Sequence, residues 1–295
     1  GALTMEKRVV GVIGGSGVYA LDAIESAEKA AIDTPWGAPS GPIVRGRMKG
    51  VEVAFLARHG DGHRIPPSEV NYRANIDALK RAGVTDVVSV SACGSFREEF
   101  APGVFVIVDQ FIDRTAGRAK SFFGAGCVAH VSMADPVCPA LAGAIEASCK
   151  ALSIAHHRGG TYLAIDGPQF SSRAESLLYK SWGADVIGMT NMPEAKLARE
   201  AELPYASVGM VTDYDCWREG AAAVDVASVL DVMRRNTEAA RRLVADLVAR
   251  LGATRARSPL GIETMLDFAI ITPPEARDPA LLAKLDAVAG RALGR

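Results

Sequence analysis

Short runs of β-branched residues recur along this chain, and most of them stop abruptly at glycine or at a cluster of polar side chains. Residues 8–13 (RVVGVI), 44–48, 51–57, 85–91 (TDVVSVS), 105–109, 161–165, 183–190 and 205–211 all fit this description. Runs this short and this apolar predict strands buried on both faces. Between them lie stretches with helical spacing: 71–82, where Ile76, Leu79 and Ala82 fall on one side and Gly83 caps the end, then 139–152, 221–251 and, near the end, 280–293. Lys49-Gly50 reads as a hairpin turn, and 111–126 as a long loop. Strands alternating with helices predict one α/β domain over residues 1–295, with 259–295 as a helical extension.

Composition narrows the function classes. The net charge is −1, with 49% hydrophobic and 23% charged residues, and Lys and Arg are scattered. That leaves no electrostatic footprint for nucleic acid or an anionic membrane. No run approaches the roughly 18 apolar residues of a membrane span. Five cysteines without a CxxC pair predict reduced thiols and a cytoplasmic protein. Residues 1–4, ahead of Met5, read as an expression scar, and no signal-peptide pattern is visible. His156-His157 has no third ligand at a usable spacing, so it reads as an exposed pair and no metal is expected.

The chemistry gathers where the apolar runs end. Gly14-Gly15-Ser16-Gly17 follows the first run; it turns N–H groups toward a phosphate-sized anion or is simply a tight turn. Gly15 to Ala20 also fits the GxGxxA dinucleotide fingerprint, which needs an acid ending a second strand about 20 residues on. The turn-rich 33–42 stretch cannot be that strand, which counts against a dinucleotide fold. Arg58-His59, with His63 and Arg64 nearby, offers a guanidinium fork and imidazole donors to an anion, or else a solvated basic loop. Ser91-Ala92-Cys93-Gly94-Ser95 reads as a second small-residue loop, with Cys93 as a packed small hydrophobe. Ser171 or Ser172 caps a helix with Glu175 in its first turn. Phe170 is either a hydrophobic staple for that cap or a flat face for a base or sugar. Asp213 and Asp215, two apart after the last strand, would share one face of an extended backbone and hold a proton between them, unless they are loop and capping acids.

In order, GGSG, ARHGxGH, SxSACGS, GPQFSSRAE, GMTNMPEAxLAREA and VTDYDCW resemble the purine nucleoside phosphorylase superfamily, over about residues 8–250. The likeness is nearest to the branch acting on methylthioadenosine. It implies a single α/β domain around a central mixed sheet, a distorted barrel flanked by helices. It also implies a homotrimer and phosphorolysis of methylthioadenosine to adenine and 5-methylthioribose 1-phosphate, in purine and methionine salvage. Inorganic phosphate is then a co-substrate, with no metal or redox cofactor. The resemblance places Ser16, Arg58, His59, Ser91, Ala92 and Thr190 on phosphate, Met189 on the ribose and Phe170 on the base or ribose face. Asp213 would be the catalytic acid at purine N7, and Asp215 would meet the 6-amino group. Val226, Val229 and Leu230 would shape the methylthio end, with His130 reaching in from a neighbouring subunit. Members that cleave 6-oxopurines generally carry Asn at position 213 and Glu at 171; Asp213 and Ser171 here imply a 6-aminopurine. A methylthioinosine or general purine nucleoside phosphorylase is the alternative. Gly188 departs from the Asn that close relatives of this branch can carry; other superfamily members have Gly-Met here.

Overall fold

The computed structural model describes residues 5–15, 17–19 and 21–294. In chain order the main strands are β1 (Val9–Gly14), β2 (Glu25–Ala30), β3 (Ile43–Met48), β4 (Val51–Ala57), β5 (Asp86–Ser95), β6 (Phe105–Val108), β7 (Gln110–Asp113), β8 (His156–Arg158), β9 (Thr161–Ala164), β10 (Val186–Gly188) and β11 (Tyr205–Asp213). The helices are α1 (Tyr72–Arg81), α2 (Pro139–Ala151), α3 (Arg173–Ser181), α4 (Asn191–Glu200), α5 (Val226–Leu251), α6 (Pro279–Lys284) and α7 (Asp286–Leu293).

All eleven strands join one mixed sheet. Both of its faces are covered, and the period of two in the strands shows why. Along β1, Val9 and Ile13 pack into a core shared with α1, α4 and α7, while Val10 and Val12 pack into a second core shared with α2 and α5. β4 divides in the same way, with Ala54 and Leu56 on one side and Val51, Val53 and Phe55 on the other. Each of the Val, Ile, Leu and Phe side chains, fully buried, contributes about 1.5–3 kcal/mol. The terminal segment belongs to the first core: Leu285, Val288 and Ala289 are buried in it.

The sheet forks. One arm runs β2-β3-β4-β1-β5-β10-β9-β7, and a second leaves β5 through β11 to β6 and β8. Among the described residues no ladder joins the arms directly, but β6 on one arm and β7 on the other are consecutive in the chain, with Asp109 alone between them. β5 lies beside β11 for most of its length, but its other edge changes partner. β1 pairs with it in parallel up to Ser89, and β10 pairs antiparallel only from Gly94. Residues 90–93 therefore have one edge without a strand, and β1 and β10 splay apart there.

Several expectations are corrected at this level. The 91–95 stretch is not a loop but the second half of β5, held by β11. A strand, Gln110–Asp113, runs into the expected 111–126 loop because it finds β9 as a parallel partner. β2 was not expected at all. Its sequence ESAEKA is polar because it is an exposed edge strand. No α-helix follows the Gly14-Gly15 turn; a 3-10 turn and β2 do, so there is no dinucleotide βαβ unit. α5 begins at Val226, capped by the Asp225 side chain, rather than at 221. Of the two capping options, Ser172 is the cap, in a reciprocal box with Glu175.

Candidate active site

A cavity of about 690 Å³ fills the splay between β1 and β10, at the ends of β1, β4, β10 and β11. Open α/β sheets place ligands at such divergences. Of the site residues expected from the sequence, the cavity is lined by Arg58, His59, Ser91, Ala92, Phe170, Ser171, Met189, Thr190, Asp213, Asp215, Val226, Val229 and Leu230. His130 does not line it: that side chain is exposed on a segment bonded to Ala269. Ser16 lies outside the described residues.

The two acids reach the cavity by a turn rather than by the pleat. β11 ends at Asp213, and Asp215 adopts a left-handed backbone with φ 54°. Its N–H donates to Asp213 Oδ1 at 2.8 Å. Asp213 Oδ2 lies 2.6 Å from the Thr212 hydroxyl, which is also 3.2 Å from the Cys93 carbonyl. One hydroxyl hydrogen cannot serve both acceptors. With Asp213 neutral the set is satisfied: Thr212 donates to Cys93 and accepts from the Asp213 carboxyl. Burial raises the proton affinity of Asp213 above the usual carboxylate range, and burial does the same for Asp215, with the Asp213 charge a lesser cause. The proton shared between the two carboxyls is thus corrected, since desolvation does most of what pairing was expected to do. Gly94 permits this approach, since a Cβ there would sit 2.9 Å from Asp213 Oδ1.

At the opposite wall Arg58 is 2% exposed. Its fork is taken: Nε and Nη2 donate to the Glu194 carboxylate at 2.8 and 2.9 Å, Nη2 also reaches Ser89 Oγ, and Nη1 donates to the Val90 carbonyl at 3.2 Å. One Nη1 hydrogen is left for a ligand. Burial opposes the guanidinium charge, but Glu194 overrides it and holds Arg58 charged. Beside it, burial pushes His59 down to about 4, so the ring is neutral at pH 7. His59 Nδ1 lies 2.8 Å from the Ile65 carbonyl, which can only accept, so Nδ1 carries the hydrogen and Nε2 is an acceptor. Ser91 Oγ and Ser171 Oγ are buried without a hydrogen-bond partner among the described residues, one toward each wall. Buried hydroxyls left in that state point to a ligand. Thr190 stands at the N-cap of α4, yet its side chain makes no cap bond.

The Gly188 departure has a structural reason. A Cβ at 188 would lie 2.0 Å from the Tyr162 hydroxyl, so the tyrosine occupies the space a side chain there would need. That hydroxyl accepts the Thr190 N–H at 3.3 Å. The open end of the cavity is apolar: Val226 and Leu230 on the first turns of α5 are 61% and 53% exposed.

Glu194, Tyr162 and Thr212 were not singled out from the sequence. Glu194 lies inside the GMTNMPEAxLAREA motif without a role of its own there, and its partner is 136 positions away. Thr212 carried a signal that could have found it, a hydroxyl adjacent to Asp213. Tyr162 carried none beyond being an aromatic in a buried strand.

The phosphorylase superfamily model matches residues 9–249. The chain is 62% identical over 287 residues to the S-methyl-5′-thioadenosine phosphorylase of Cereibacter sphaeroides, covering 97% of this chain and 99% of that one. Among solved structures, a methylthioadenosine phosphorylase from an antarctic soil metagenomic library superposes with a TM-score of 0.90 at 46% identity, over 96% of this chain and 99% of the other. A mutant of the Schistosoma mansoni adenosine/methylthioadenosine phosphorylase, in complex with methylthioadenosine, superposes with a TM-score of 0.81 at 38% identity, over 88% of this chain and 96% of the other. A model match over most of the chain, near-full-length relatives and a shared fold place it plainly: the chain belongs to the phosphorylase superfamily.

Proposed function

We propose that this protein catalyses the reversible phosphorolysis of S-methyl-5′-thioadenosine, giving adenine and 5-methylthioribose 1-phosphate. The observation that carries this reading is one cavity with buried acids of raised proton affinity at one wall and a charged, hydrogen-bonded wall facing it. The names of the near-full-length relatives support the same substrate.

Asp213, neutral in its buried setting, turns its carboxyl hydrogen from Thr212 to purine N7 as the N9–C1′ bond breaks and charge builds on the base, and the Thr212 hydrogen moves from the Cys93 carbonyl to the carboxylate left behind. A positioned acid of this kind is worth about 10²–10⁴-fold. Asp215 accepts from the 6-amino group, and the free Ser171 hydroxyl faces the same ring. Phosphate sits against Ser91, the Ala92 N–H on the unpaired edge of β5, Thr190 and the remaining Arg58 hydrogen. Neutral His59 accepts, through Nε2, the hydrogen of a protonated phosphate oxygen. Because Glu194 has already neutralised Arg58, neutral donors do most of the holding. Positioning phosphate beneath C1′ supplies the larger part of the acceleration, up to roughly 7–11 kcal/mol. The reaction needs inorganic phosphate as co-substrate and no cofactor.

The methylthio group lies against Val226, Val229 and Leu230. This end is half built in one chain, which supports a homotrimer in which His130 of a neighbour completes it. His130 sits on a segment paired with 269–271, beside the fully exposed Phe268. No helix among the described residues is long and apolar enough to cross a membrane. The five cysteines are all free, in keeping with a cytoplasmic setting.

Side-by-side phosphorolysis of methylthioadenosine, methylthioinosine, adenosine and inosine tests the proposal. Methylthioadenosine is expected to have the highest kcat/KM; a higher value for either 6-oxopurine overturns the base assignment. Asp213→Ala is expected to lower kcat by about 10²-fold or more, and activity within a few-fold of the parent removes Asp213 from the mechanism.

A further inference from the structure

One buried cation lies outside the cavity yet holds its walls. Arg118 follows β7, and its side chain is 2% exposed. The nearest carboxylate is that of Asp166, 3.6 Å from Nε and 40% exposed, with no hydrogen bond formed between them. Its remaining donors all go to backbone or hydroxyl oxygens. Nη1 donates to the Met189 and Met192 carbonyls, both at 2.7 Å, and lies 3.2 Å from the Tyr72 hydroxyl. Nη2 donates to Ser68 Oγ at 3.1 Å and to the Asp166 carbonyl at 3.2 Å. A buried guanidinium whose charge is answered only by this loose ion pair to a half-exposed carboxylate, with every hydrogen bond going to a neutral oxygen, is costly, so its geometry serves some purpose other than bulk stability.

These acceptors belong to three separate segments, and each segment carries cavity wall. Ser68 adjoins Pro67, Asp166 precedes Phe170 and Ser171, and Met189 and Met192 bracket Thr190. We propose that Arg118 is a positioning residue: it fixes the Met189–Thr190 wall against the Phe170–Ser171 wall, and so sets phosphate in register with the nucleoside. A rigid planar fork can bridge three segments at fixed angles, and an ammonium cannot. Tyr162, accepting the Thr190 N–H, braces the same segment from the sheet side. The kinetic consequence rests on the phosphorolysis proposed above. Both ligands still bind when the walls drift, but the reacting atoms no longer meet well, so kcat suffers more than either KM.

The test compares Arg118→Met, Arg118→Lys and Ser68→Ala with the parent, by steady-state phosphorolysis of methylthioadenosine and by hydrogen–deuterium exchange. Arg118→Met is expected to lose about 10²-fold in kcat, with each KM within roughly threefold. Arg118→Lys is expected to recover part of that loss, and Ser68→Ala to lose a few-fold. In Arg118→Met the segments 66–69, 166–172 and 189–192 are expected to exchange faster together, while β5 is unchanged. A folded Arg118→Met with parental kcat and parental exchange overturns the proposal. Should that variant not fold, parental kcat and exchange in both Arg118→Lys and Ser68→Ala overturn it. If the parent releases no adenine, the phosphorolysis reading fails, and the exchange pattern alone decides the role of Arg118.

Discussion

The two ends of the cavity are built on opposite principles. At the end proposed for phosphate, the anion end, every element is internal: a strand edge exposed by the fork in the sheet, a guanidinium locked to Glu194, and a tyrosine wedged under Gly188. At the end proposed for the thioether the wall is the first turns of one helix, with large apolar side chains facing solvent. The closed end is over-determined and therefore brittle. The open end tolerates change in the fold and expresses it in the choice of substrate.

The sharpest way to break this comparison is Glu194→Ala. It leaves Arg58 buried and charged without its partner, and it also removes the acceptor of the Tyr205 hydroxyl. Breaking a buried pair from one side costs about 3–5 kcal/mol. Denaturant unfolding is expected to show that loss, with a weakened phosphate KM in whatever remains folded. A loss below about 1 kcal/mol would mean that the anion end is not locked in this way.

Next comes Gly188→Asn, which drives a Cβ onto the Tyr162 hydroxyl. Overpacking of this kind costs about 1–3 kcal/mol. Adding Tyr162→Thr opens the space, and the double variant is expected to regain most of the stability lost by the single one. If the two losses simply add, the glycine and the tyrosine are not a compensating pair.

How much of this was legible in the sequence follows from how local each cause is. Apolar runs such as 51–57, the Lys49-Gly50 hairpin and the Ser172–Glu175 capping box are decided within a few residues, and the structure has all three. Most of the expected site residues line a single cavity because they follow strand ends, which the runs marked. What stayed hidden is long-range. Residues 91–95 look like a loop by their small side chains, yet they are a strand because β11 lies beside them. The ESAEKA stretch of β2 is polar and exposed, and only its pairing with β3 makes it a strand. The Arg58 fork looked free because nothing nearby in sequence names Glu194.

At the open end the expected effects are smaller and fall on catalysis alone. Val226→Ser or Leu230→Ser leaves a hydroxyl against the thioether and is expected to lower kcat/KM for methylthioadenosine by about 1–2 kcal/mol. Melting is expected to stay within about 0.5 kcal/mol of the parent, as at other exposed positions. A stability loss as large as that of Gly188→Asn would erase the contrast between the ends.

The smallest effect is a pH dependence at Asp213, the acid proposed to meet the base. Burial raises the Asp213 pKa above its unfolded value of 3.8. The folded chain therefore keeps this proton to higher pH than the unfolded chain does. As pH climbs from below 3.8 through the folded value, the folded state binds more protons than the unfolded one, so stability falls. Asparagine does not titrate and can still donate to Thr212. Asp213→Asn is thus expected to melt higher than the parent at pH 7–8, by about 2–4 °C for each kcal/mol recovered, with the gain vanishing near pH 4. Asp215 is raised as well, but it is present in both proteins and largely cancels. A gain that grows toward acid instead would mean that Asp213 is stabilised as the anion. The neutral arrangement of Thr212, Cys93 and Asp213 would then be wrong, and with it the proton that Asp213 gives to N7.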